Sequence, residues 1–348
     1  MKINPRALAA DAVNPTLEVY SDHFSKPRGV IVAMAMFIVF MLTAASTDAA
    51  TYTVNNLGNA GTGTLRQAVL DANANPGPDT VVFSPTLFNQ LQVIQILTEI
   101  PVTEDIQING ATATKVWISG SGLGRIFNVT AANLNANDLT FVSGAGIGSG
   151  NGGAILVNGG TTTLLNVTFY ANTAVADGGA IYVQSGNLNI TNATFFGNTA
   201  QNGGGIYVNG STSTANILNC SFSSNNATTA AGALRINGGA LVSIGNSAFG
   251  GNLGTQPDIV GAFNSVGYNI ISNTSGAVIS GSTAGNQLNV NPQFAAFNDF
   301  GGKTWTLTLQ PTSPAIDTGD SSQAAFTDQR GARRNTDGKG RPIVFIHA

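Results

Sequence analysis

Between Gly152 and Asn252 the apolar and polar positions repeat as four imperfect copies of one unit. The copies open Gly152-Gly153-Ala154-Ile155, Gly178-Gly179-Ala180-Ile181, Gly203-Gly204-Gly205-Ile206 and Ala231-Gly232-Ala233-Leu234. Each runs through a polar turn and an alternating segment to a Phe-x-x-Asn ending. These endings are Phe169 and Asn172, Phe195 and Asn198, Phe222 and Asn225, Phe249 and Asn252. The phenylalanines stand 26, 27 and 27 residues apart, a period that marks a solenoid. Runs such as Ala180-Ile181-Tyr182-Val183 and Leu188-Asn189-Ile190-Thr191 alternate with the period of a strand. The units carry almost no Glu or Lys to favour a helix. Short strands stacked coil on coil, about 4.8 Å apart, predict an all-β chain: a right-handed parallel β-helix, its hand following the crossover preference.

This arrangement predicts two inward ladders. One holds Ile155, Ile181, Ile206 and Leu234; the other holds Phe169, Phe195, Phe222 and Phe249. The Asn three residues past each Phe suits a tight turn, where Asn tolerates the left-handed region. Stacked amides can also bond from coil to coil. A ligand-binding row is the competing reading of these asparagines.

Around the repeats four segments are expected. Residues 1–50 form a leader, with Lys2, Arg6, Lys26 and Arg28 before an apolar run from Val30 to Ala45 and small residues after it. A cleaved secretory signal and an uncleaved anchor both fit. Residues 51–79 form an N-terminal cap. There Thr64-Leu65-Arg66-Gln67 reads as a capping box, and Leu65, Ala68, Val69 and Ala72 follow at helical spacing. Residues 80–310 form the solenoid, clearest over 152–252, and residues 311–348 a C-terminal cap and divergent tail.

Composition narrows the class. Gly supplies 43 of 348 residues, as tight corners demand, and only 9% of residues are charged against 43% hydrophobic. That balance excludes disorder and leaves a large core under a neutral surface. A net charge of −3 provides no footprint for nucleic acid. No span is expected in the mature chain beyond the leader, and a monomer is expected. The Gly-rich stretches Gly120 to Gly124 and Gly144 to Gly153 lack a following Gly-Lys-Ser/Thr, so they read as corners, not phosphate loops. The single Cys220 reads as a buried small hydrophobe.

Gly-Gly-Ala-Ile paired with Phe-x-x-Asn resembles the repeats of polymorphic outer-membrane proteins. Asn291-Pro292-Gln293-Phe294, Ser313-Pro314-Ala315-Ile316-Asp317-Thr318-Gly319-Asp320 and Thr327-Asp328-Gln329-Arg330-Gly331 stand in the order of bacterial choice-of-anchor Q proteins. Gly63 to Val69 resembles their N-terminal motif, with Gly63-Thr64 where Cys-Ser is common. The resemblance spans roughly residues 52–331 and implies a secreted or cell-surface β-helix of pectin-lyase-like fold.

Chemistry on a polysaccharide needs paired carboxylates or a metal. From Gly150 to Phe300 the acids are Asp177, Asp258 and Asp299, too far apart to share neighbouring coils. Asp317, Asp320 and Asp328, near Arg330, offer a structural Asp–Arg network, a calcium site or a hydrolytic pair. Glu99, Glu104 and Asp105 read as solvated turn residues, and the basic tail as a solvated end. No catalytic residue and no cofactor is assigned, calcium being the exception to test. Tyr182 and Tyr207 follow Ile181 and Ile206 and point outward. They form either an exposed pair able to stack on a sugar ring or a packing pair under a loop. The expected role is adhesion to a glycan or protein. A carbohydrate-active enzyme, lyase or hydrolase, and a structural spacer are the alternatives.

Overall fold

The computed structural model describes residues 49–146, 150–322 and 326–334. Residues 1–48 of the expected leader and the end of the basic tail lie outside the described residues. Among the described residues the chain forms a parallel β-helix of about eight turns.

Three parallel ladders make the faces. The first runs from Ile100–Val102 through Phe127–Thr130 and residues 155–158 and 181–183 to Ile206–Asn209 and Leu234–Asn237. The second starts at Thr51–Val54 and Asp79–Phe83 and continues through Ile106–Asn109 and Leu134–Asn137 to Ser213–Leu218 and Leu241–Gly245. The third links Leu91–Gln95, Lys115–Ser119 and Thr140–Val142 to Ser221–Ser223, Ala248–Phe249 and Ile270–Ile271. Residues of the long strands Ile155–Tyr170 and Ile181–Phe196 bend through all three faces.

Both predicted inward ladders are present in register. Ile155, Ile181, Ile206 and Leu234 pair in sequence on the first face, each fully buried. The phenylalanine ladder is one rung longer than the repeats suggest, because Phe141 joins Phe169, Phe195, Phe222 and Phe249. Their rings stack with centroids 4.6 to 5.0 Å apart. Ring stacking adds about 0.5–1.5 kcal/mol per pair to burial.

The asparagines are structural. Asn172, Asn198 and Asn225 are fully buried. Each donates from Nδ2 to Oδ1 of the next Asn, ending at Asn252, over 2.8 to 2.9 Å. Each also bonds a phenylalanine-strand carbonyl: Asn198 Nδ2 reaches Phe169 O at 3.0 Å. A buried turn leaves peptide groups in need of partners, and this row supplies them. The row ends on Asp258, whose Oδ1 accepts from Asn252 at 2.8 Å.

Helix α1 (Leu65–Ala74) closes the N-terminal end. Leu65, Ala68, Val69 and Ala72 are buried in the solenoid core against the first strands. Thr64 caps it by accepting from Gln67 N at 3.2 Å. The reciprocal half of the capping box is not made. Gln67 instead donates its amide to Asp71 at 2.7 Å, one turn along, a pairing an exposed helix face offers more readily.

Residues 294–309 depart from the expected solenoid. Phe294–Asn298 and Thr306–Leu309 pair antiparallel in a separate hairpin. This hairpin lies along the outside of the third face. Phe297 stacks on Phe196 at 4.4 Å and packs on Tyr170 at 5.1 Å; Trp305 meets Trp117 at 5.0 Å. Its tip reaches back to the early coils, where Lys115 pairs with Asp299 at 3.0 Å and Lys303 donates to Ala113 O at 2.5 Å. The chain then returns along the same face, where Gln329 joins Thr168, Thr194 and Thr304. Residues 292–322 and 326–334 are therefore a strap along one face, and not a cap over the end. Alternating aromatics in the hairpin match the aromatic positions of the face, which a cap would leave unused.

Candidate functional site

The aromatic pair does not form a site. Tyr182 and Tyr207 lie 5.3 Å apart as neighbours on the first face. They are only 6% and 7% exposed and pack with Leu156. Asn209 Nδ2 donates to the Tyr182 hydroxyl at 3.1 Å. The Gly-Gly turns lie against this strand: a Cβ on Gly178 would come within 3.0 Å of Tyr182 Cα, and one on Gly203 within 3.1 Å of Tyr207 Cβ. Only glycine permits that approach to the strand. Burial lifts the Tyr182 hydroxyl above the ordinary tyrosine range. The packing alternative is the one the structure contains.

The three aspartates do not converge. Asp328 is buried, and its Oδ2 pairs with Arg330 Nη2 at 2.5 Å and Nε at 2.9 Å. Its Oδ1 accepts from Arg330 N at 2.9 Å and Ala332 N at 3.1 Å. Asp320 turns its Oδ1 to Ser322, and its peptide bonds Asn246. Asp317 sits at φ +58° in a turn. Among the described residues no three His, Cys, Asp or Glu side chains gather as metal ligands. Asp328 and Arg330 hold the strap's return together.

Glu99 is not a solvated turn residue. Its Oε2 meets Arg125 Nη1 at 2.5 Å and its Oε1 accepts from Asn128 at 3.2 Å. Arg125 is 6% exposed and also reaches the carbonyls of Asn151 and Gly152. Cys220 is buried, its thiol pushed up to about 12 by burial and donating to Leu218 O at 3.1 Å. It is held as an inert thiol.

What the structure does present is a row on the second face. Alternation turns Val81, Ile108, Ala136, Leu164, Ile190, Ile217 and Ile244 inward. It turns one residue before each of them outward. These are Thr80, Gln107, Asn135, Thr163, Asn189, Asn216 and Ser243, adjacent rung by rung in register. Asn264 and Ser280 continue the row. All are exposed or half-buried, and none is charged or apolar. Within it Asn216 Nδ2 donates to Asn189 Oδ1 at 2.9 Å. A flanking row repeats the chemistry, with Thr214 Oγ1 donating to Asn187 Oδ1 at 2.7 Å. Each amide keeps further donor and acceptor capacity facing solvent. The row begins at a groove of about 390 Å³ lined by Asp79, Asp105, Gln107 and Asn135.

A second row went unread in the sequence. Asp138, Asn166, Asn192, Asn219 and Asn246 all have φ near +50° and form the corner between the second and third faces. Asn192 donates to Asn166 at 3.1 Å, and Asn166 to Asp138 at 3.2 Å. Its signal is plain in retrospect: an Asn or Asp three residues before each ladder phenylalanine. Asn192 and Asn246 hold the strap, through Thr327 O and the Asp320 peptide.

No helix among the described residues is long and apolar enough to cross a membrane. No protein-family model matches the chain, and no curated protein matches it. Among solved structures the chain is similar to jun a 1, the major allergen from cedar pollen, known from a 1.7 Å crystal structure. The two are 15% identical over 81% of this chain and 85% of that chain, with a TM-score of 0.41.

Proposed function

We propose that this is an exported β-helix protein that binds a glycan along its second face and does not transform it. The carrying observation is the uninterrupted row from Thr80 to Ser280. It repeats hydrogen-bonding groups at the coil spacing, about 4.8 Å, and suits a polymer that repeats its own hydroxyls. Neutral amides and hydroxyls donate and accept, but they supply no proton at neutral pH. Export is supported by the short apolar run and small residues of the leader.

The test is a glycan panel probed with the full chain. Binding is expected, and Asn189→Ala with Asn216→Ala should weaken it by roughly tenfold, while Tyr182→Phe leaves it unchanged. Retention of full affinity by the double variant would remove the second face from consideration. Unsaturated product from polygalacturonate or alginate would point instead to a lyase.

A further inference from the structure

The last rung of the second face is finished on one side only. Its strand, Ala277–Gly281, pairs with residues 261–265, and its other edge meets no strand among the described residues. Inward, Ala277 and Ile279 are half-buried and pack on the end of the core, where Phe263 is still covered. Outward, Val278 is 63% exposed. It stands in line with its exposed partner Ala262 and, one coil earlier, with Leu241, which is 69% exposed. The row that offers Asn187 and Thr214 on earlier coils has thus turned apolar. Edge strands of soluble proteins are blunted by charge or proline, and the terminal coils of a solenoid present a polar outer face. Neither holds here: residues 259–298 include no charged side chain, and Ala277–Gly281 has no proline. The strap runs along the third face and leaves this edge open.

The chain carries a segment that fits this edge. Residues 335–348 lie outside the described residues and include Pro342-Ile343-Val344-Phe345-Ile346. Ile343 to Ile346 has the composition of a strand, with proline where a strand can begin. Apolar at four consecutive positions, it offers apolar side chains to both sides of a strand. The last rung asks for that, with Ala277 and Ile279 on one side and Val278 on the other. The reach is sufficient. Arg334 is held to Asn192 at 3.1 Å. A rung added after Ala277–Gly281 lies five coil steps further on, about 24 Å at the strand spacing. Residues 335–342 between them span up to about 26–29 Å when extended.

We propose that residues 343–346 add a strand to the free edge of Ala277–Gly281 and so close the C-terminal end of the solenoid. Backbone groups on that edge gain partners, and Val278, Ala277 and Ile279 lose their exposure to water. The interaction is of the chain with itself and stands apart from the glycan reading of the second face.

The experiment is amide hydrogen exchange of the full chain, read by mass spectrometry. Residues 277–281 and 343–346 should both exchange more slowly than residues 335–341. Removal of residues 342–348 should speed exchange at 277–281 by roughly tenfold or more, while residues 155–217 exchange as before. Val278→Asp, at an exposed position, should speed exchange at 343–346. Exchange at 343–346 as fast as at 335–341 would overturn the proposal, as would removal of the segment without effect on 277–281. Protection of 343–346 that Val278→Asp does not move would place the segment elsewhere and overturn it too. Protection of 277–281 that rises with protein concentration and persists without residues 342–348 would give the edge to a second copy instead.

Discussion

Gln329 donates from Nε2 to Thr168 Oγ1 at 2.8 Å, across 161 residues of chain. The same nitrogen lies 3.0 Å from Val167 O, and Oε1 accepts from Thr194 at 2.8 Å. Gln329 is 1% exposed. One buried amide thus ties the returning strap to two successive coils.

Replacing Gln329 by Ala should therefore leave several buried groups without partners, at about 1–3 kcal/mol each before relaxation. A fall in urea midpoint is expected, with faster proteolysis between Pro292 and Arg334 than within the coils. Unchanged midpoint and cleavage pattern would show that the strap's aromatic contacts hold it unaided.

Ile181→Asp places a charge on a fully buried rung between Ile155 and Ile206. Thr191→Asp places it on a half-buried outer position of the second face. The first should destabilise by more than about 4 kcal/mol, the second by under about 1 kcal/mol. Similar urea midpoints for the two variants would contradict the register.

Helix α1 keeps the first coil from acting as an open edge. Leu65 is fully buried in the core. Leu65→Asp, or removal of residues 64–73, should promote oligomers or aggregates through the exposed end. Light scattering decides the matter: a monodisperse monomer of the deletion variant would mean that the first coil tolerates exposure.

Much of this was legible in the residues and some was not. The Ile and Phe ladders could be read because inward positions recur at one step and are apolar each time. The outer residues of the second face followed from the same alternation. Tyr182 and Tyr207 show the limit: alternation says that a side chain points out, but not what lies over it. The strap could not be read at all. It has no period, and its contacts, such as Lys303 to Ala113, cross 190 residues.

Asp258 ends the asparagine row and gives a pH test. It is fully buried, and burial holds its carboxyl above the ordinary carboxylate range. Hydrogen bonds from Asn252, Ser272 and Asn273 pull it down, but less strongly. A folded pKa raised above the unfolded one means that this group's contribution is fully present below the ordinary carboxylate pKa. It is lost as pH rises through the raised value. Compared with Asp258→Asn, which does not titrate, the wild-type chain should lose relative stability between strongly acidic pH and neutrality. Urea midpoints of both proteins across that range measure it; a wild-type midpoint that stays level or rises relative to that of Asp258→Asn as pH rises would refute the assignment.

The strap also acts as a ruler. It is pinned at Ala113 by Lys303 and at Asn246 by Asp320, with both legs laid along the coils between them. A gene duplication that inserted one whole coil would respect every ladder, since each residue would meet its own equivalent. It would still move one pin away from the other by a coil's height. Coil number in this chain is thus constrained from outside the repeat, and growth by whole coils would have to lengthen the strap in step.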